Sequence, residues 1–174
     1  MAKTRPSNTH PLAAWALIAS GVLFLLGILF SHIGISGTVG QIVLFLAYAL
    51  LAVAFVVLFL WRSIDILLRV AFIVGAVGWA LLALSIIATV GGGLILIAAI
   101  LALVGTLVAG VIVFARNIFS RSSSIAFLVL AIIAAILLLP SVFTFALDTT
   151  LAIIIDIVFG AMLIVAGFFM YRRR

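Results

Sequence analysis

The chain has 174 residues, 70% of them hydrophobic and 7% charged, whereas a soluble domain is about half apolar and about a quarter charged. A water-soluble fold of this size leaves roughly a third of its chain surface exposed, so this composition excludes one, and the absence of cysteine excludes a disulfide-stapled secreted domain. Nine Lys and Arg against three acidic residues give a formal net charge of +6, but they are too sparse for a phosphate-tracking face, which excludes nucleic acid and leaves topology and lipid headgroups as their role.

No Asp, Glu, Lys or Arg occurs between Arg5 and Arg62, between Arg69 and Arg116, or between Arg121 and Asp148. A hydrocarbon core about 30 Å thick takes about 20 helical residues, so the first two stretches must each cross twice. The predicted spans are about 12–31, 40–61, 69–90, 93–115, 124–147 and 149–171. Pro11 suits the first turn of span one, and a Gly/Ser-rich break over residues 32–40 separates it from span two. Gly91, Gly92 and Gly93 make the turn between spans three and four. Ser122, Ser123 and Ser124 are expected to cap span five, and Asp148 to cap span six. The fold class predicted is all-α, a polytopic transmembrane bundle of six helices in one domain with no soluble part.

All nine basic residues fall on one side of this arrangement: Lys3, Arg5, Arg62, Arg69, Arg116, Arg121, Arg172, Arg173 and Arg174. The positive-inside rule then places both termini in the cytoplasm of a cell with the protein in its inner or plasma membrane. The seven arginines from Arg62 onward are expected to contact anionic headgroups, with Trp15, Trp61 and Tyr171 in the interfacial belt. Three in–out–in hairpins begin near residues 12, 69 and 124, and their returning helices end in Trp61-Arg62, Phe114-Ala115-Arg116 and Tyr171-Arg172. This pattern suggests a repeat about an axis along the membrane normal, although belt aromatics followed by Arg would end any such hairpin.

Six short-looped spans, three hairpins and Gly-interrupted openings such as the stretch from Trp15 to Ile28, with Gly21 and Gly27, resemble the HdeD-like small membrane proteins of prokaryotes. The resemblance implies a non-enzymatic inner-membrane protein linked with acid-stress tolerance, and it carries over no functional residue.

Catalytic chemistry is sparse. Asp148 and Asp156 lie eight residues apart, about 12 Å along a helix, too far for a close acid/base dyad. His10 and His32 are predicted on opposite sides of the membrane, which removes a His-based metal site and a Ser–His pair. No enzyme activity, cofactor or metal is therefore expected. Asp65 stands three residues after Arg62 and four before Arg69, spacings that pair on a helical turn.

Asp156 requires a reason, because a carboxyl at mid-helix costs about 2.5–3.5 kcal/mol on insertion. It shares a helical face with Gly160 and Gly167, where a neighbouring helix comes close, so it is expected to point into the bundle. Tyr48, Ser85 and Ser141 are predicted at similar depth, and Pro140 frees a backbone carbonyl beside Ser141. Two readings stay open: a titrating site that senses external pH or lines a solute path, and a protonated carboxyl acting as interhelical glue. Small-residue faces on span three (Ala71, Gly75, Gly78, Ser85) and span four (Ala98, Ala102, Gly105, Ala109) are expected to bring helices together, a lined pore being the other reading. The function expected is a structural, stress-related or accessory component associating with itself or another membrane protein; the alternative is a small proton-coupled transporter or channel using Asp156.

Overall fold

The computed structural model describes residues 9–33, 37–61, 64–88, 91–143 and 148–171. These form six helices: α1 (Thr9–His32), α2 (Thr38–Phe59), α3 (Ile66–Ile87), α4 (Gly92–Ala115), α5 (Arg121–Phe143) and α6 (Thr149–Tyr171). Each holds a stretch of 21 to 24 residues with mean hydropathy between 2.4 and 3.0, long and apolar enough to cross a membrane. Among the described residues there is no strand.

Helix ends follow local hydrogen bonding, which explains where they depart from the predicted spans. α3 starts at Ile66, three residues early, because Asp65 adopts an extended conformation and accepts the Ile66 N–H at 2.8 Å. α5 also starts early, because its cap is Ser120 and not the expected triplet. The Ser120 Oγ accepts from Ser123 N at 3.2 Å and its carbonyl accepts from Ser124 N at 2.8 Å, so Ser123 and Ser124 are buried inside the first turn. Asp148 caps α6, its Oδ2 accepting from Thr150 N at 3.1 Å. α4 ends in a Schellman turn: Asn117 takes φ 45°, Asn117 N donates to Phe114 O, and Ile118 N donates to Val113 O. That turn drops Phe119 into the core, 3% exposed and stacked on Trp61 with ring centres 5.7 Å apart.

Each helix packs against the ones before and after it, and α6 packs back against α1. The result is a closed ring of six antiparallel neighbours with α3 opposite α6 and α2 opposite α5. Glycine brings the walls together. A Cβ on Gly21 would lie 2.6 Å from Gly160 O, and one on Gly167 would lie 2.6 Å from Ala14 O, so α1 and α6 meet backbone to backbone. On α3 and α4 the predicted small-residue faces meet: a Cβ on Gly78 would overlap the backbone of Ala102, and one on Gly105 the backbone of Gly75. Many Ile and Val face outward instead, among them Val53, Val77, Ile97, Val111 and Ile154, while Leu17, Leu51, Leu68, Leu130 and Leu163 are buried with the small and aromatic residues. An apolar residue can thus face either way, which is what a lipid solvent permits.

At the arginine-bearing end, Asp65 pairs with Arg116, 51 residues away across the α3–α4 hairpin. The expected partner on its own turn, Arg69, instead donates its backbone N–H to the Asp65 carbonyl at 3.0 Å, and Arg62 lies outside the described residues. As a cap, Asp65 points its side chain back over the helix start and not along the helical face. The Arg116 guanidinium holds the Asp65 carboxyl below the usual carboxylate range, with a smaller contribution in the same direction from the Ile66 N–H. A depressed folded value means that this stabilisation is present above the unfolded value of about 3.9 and lost as pH falls through the folded one. Arg116→Gln is expected to raise the Asp65 titration midpoint, read by NMR of the carboxyl carbon; an unchanged midpoint would contradict the pairing.

Candidate functional site

α6 carries Asp156 seven residues past Thr149, about 10 Å down the helix from the end opposite the arginines. Gly160 and Gly167, on the same face, both abut α1: a Cβ on Gly160 would stand 2.9 Å from Leu25 Cδ2. Asp156 is half-buried, and its carboxyl is near enough to Tyr48 of α2 for the two to interact electrostatically. Of the predicted companions, Tyr48 is half-buried on α2. Ser85 donates its hydroxyl to Leu82 O of its own helix at 2.7 Å, Ser141 is exposed near the end of α5, and Pro140 is half-buried inside α5, which continues past it to Phe143.

Around Tyr48 the structure builds something not anticipated. Phe24 of α1 meets Tyr48 edge-on at 5.6 Å and Phe159 of α6 edge-on at 5.2 Å. Tyr48 stacks on Trp79 of α3 at 5.6 Å, and Trp79 stacks on Phe159 at 5.8 Å. The four rings form a closed circuit drawn from four helices, one of whose contacts, Trp79 to Phe159, crosses the full width of the helix ring. Trp79 Nε1 donates to Thr106 Oγ1 of α4 at 3.0 Å, which gives a fully buried indole its acceptor and ties in a fifth helix. Nearby, Ser20 Oγ of α1 donates to Ala47 O of α2 at 2.8 Å.

Nearer the arginine-bearing end, a second aromatic layer spans the ring. Phe55 of α2 and Phe72 of α3 lie 6.2 and 6.1 Å from Phe127 of α5, and Phe119 joins from the α4–α5 turn at 6.1 Å. Phe55, Phe72, Trp79, Phe127 and Phe159 are among the largest fully buried side chains. Both layers are apolar apart from the Tyr48 hydroxyl and the indole N–H. The axis of the helix ring is thus filled with aromatic rings at two depths. Phe24, Trp79, Thr106 and Phe159 were not singled out from the sequence. The one signal was Trp79, a tryptophan eight residues from the nearer end of α3, on the half of the helix away from the arginines.

Of the arginines predicted to meet headgroups, Arg116 and Arg121 are exposed at one end of the bundle and Arg69 is half-buried there; Arg62 and residues 172–174 lie outside the described residues. Trp15 and Tyr171 pack edge-on at 5.4 Å at that same end. Among the described residues no three His, Cys, Asp or Glu come together to hold a metal ion. Comparison of the chain with protein-family models, curated proteins and solved structures finds no match.

Proposed function

We propose that this integral membrane protein works without catalysis, as a structural or accessory component of a larger membrane assembly in the cell membrane, with both termini cytoplasmic. The observation that carries this reading is the filled axis: two aromatic layers cross the helix ring where a conduit would need polar or wet walls. Its outer wall of Leu, Ile and Val suits contact with lipid, a second copy or another membrane protein. The stress-related role implied by likeness to HdeD-like proteins belongs to the same reading and rests on span count and glycine placement. Purification in mild detergent tests it: the expected result is a complex of fixed stoichiometry that re-forms from its purified parts, and a monomer at every detergent and lipid condition would contradict it.

One observation favours a second reading, a small proton-coupled transporter or channel. Asp156 places a half-buried carboxyl within the apolar run of α6, where a proton could be held. Under that reading Asp156→Asn abolishes movement of protons or solute, whereas under the first there is no movement to abolish.

A further inference from the structure

Glycines stand in five of the six seams of the ring among the described residues: Gly27 between α1 and α2, Gly75 between α2 and α3, Gly78 and Gly105 between α3 and α4, Gly110 between α4 and α5, and Gly21, Gly160 and Gly167 between α6 and α1. The α5–α6 seam has none. α5 contains no glycine, and both glycines of α6 face α1. Without glycine the two backbones do not come into direct contact along this seam, and a lateral groove of about 350 Å³ opens there, lined by Ser122, Ile125, Ala126 and Val129 of α5 and Met162, Val165 and Phe169 of α6.

The groove has a chemical direction. Its α5 rail runs seven residues, about 10 Å, from Ser122 into the apolar zone. Ser122 is its polar end, next to the exposed Arg121, while below it the lining is Ile, Val, Met, Ala and Phe. Ser123 Oγ donates to Phe169 O at 3.0 Å, joining the two helices at the polar end so that the groove has a fixed head. The first turn of α5 has no acidic residue beside Arg121. An anion with an apolar tail matches this pattern of charge: cationic at the membrane surface, then a serine hydroxyl, then a greasy slot running along the bilayer normal.

We propose that the α5–α6 groove is a site for one anionic phospholipid of the surrounding membrane, with an acyl chain between Val129 and Val165 and the phosphate at Ser122 and Arg121. The site requires only membrane embedding and is independent of whether the protein acts as an accessory component or a transporter. A cationic side chain near the headgroup plane is worth roughly fivefold in affinity for an anionic lipid.

The test is native mass spectrometry of the detergent-purified full chain titrated with phosphatidylglycerol or with phosphatidylcholine of the same acyl chains. The wild type is expected to retain one phosphatidylglycerol, roughly fivefold or more in preference to phosphatidylcholine. Val129→Trp, and separately Ile125→Trp, should fill the slot and lose the retained lipid, while Arg121→Gln should keep a lipid and lose the headgroup preference. Val53→Trp, on the lipid-facing side of α2, should behave as the wild type. Circular dichroism of each variant checks that the helices remain. Equal retention of the two lipids by the wild type would overturn the site, as would retention unchanged in both slot-filling variants or equal loss in Val53→Trp. A dimer that Val129→Trp splits would overturn it too, by giving the groove to a second copy of the chain.

Discussion

Gly105→Leu is expected to lower stability by about 3 kcal/mol or more, the upper end of what overpacking costs. The obstacle is backbone. A side chain at residue 105 meets Gly75 Cα and Ala71 O, the latter 2.8 Å from the new Cβ, and neither atom has a rotamer through which to withdraw. Relief requires the α3 and α4 axes to separate, which also draws Gly78 away from Ala102 and loosens the ring on both sides of that seam. Titration with a denaturing detergent in mixed micelles, followed by circular dichroism, should show unfolding at a much lower denaturant fraction than wild type. Gly91→Ala, with nothing within 4 Å of the added carbon, should leave the midpoint where it was. If Gly105→Leu unfolds with the wild type, the α3–α4 contact is not backbone to backbone.

Trp79→Ala is expected to cost about 3–5 kcal/mol, the range for emptying a large aromatic site. The indole is fully buried, touches Tyr48 and Phe159, and makes the contact that crosses the helix ring from α3 to α6. Trp79→Phe keeps a ring and loses the hydrogen bond to Thr106, so it should cost less, and Thr106→Val should cost about 0.6–1.7 kcal/mol, the span seen for interhelical hydrogen bonds in membranes. The double variant Trp79→Phe with Thr106→Val should then be less harmful than the sum, because the bond is lost only once. Strict additivity would show that the Nε1–Oγ1 contact contributes nothing.

Hydropathy made the six helices legible. Uncharged runs of about two membrane thicknesses leave no choice but a turn at their middle; of the three glycines expected there, Gly91 caps α4 while Gly92 and Gly93 already form its first turn. Helix ends were less legible because one side chain moves a boundary by a turn: Asp65 and Ser120 set the starts of α3 and α5, and neither was chosen as a cap in the sequence. The small faces of α3 and α4 were read correctly as contact surfaces, but their mutual partnership and the closure of α6 on α1 required coordinates, since glycine spacing names a close approach without naming the neighbour. The aromatic layers were hidden for a related reason. In a chain with 14 Phe and 70% hydrophobic residues, polarity no longer distinguishes inside from outside, so Phe24, Phe127 and Phe159 look like lipid-facing Phe168 until the helices are packed. Asp156 drew attention because charge is rare here.

The axis of the helix ring is closed by aromatic side chains at two depths. The most direct measurement is proton entry into liposomes containing the purified full chain, with an acidic exterior and a pH-sensitive dye inside. Wild type and Asp156→Asn are both predicted to match protein-free liposomes. Proton entry with the wild type that Asp156→Asn abolishes would contradict the closed axis and establish the transporter in its place.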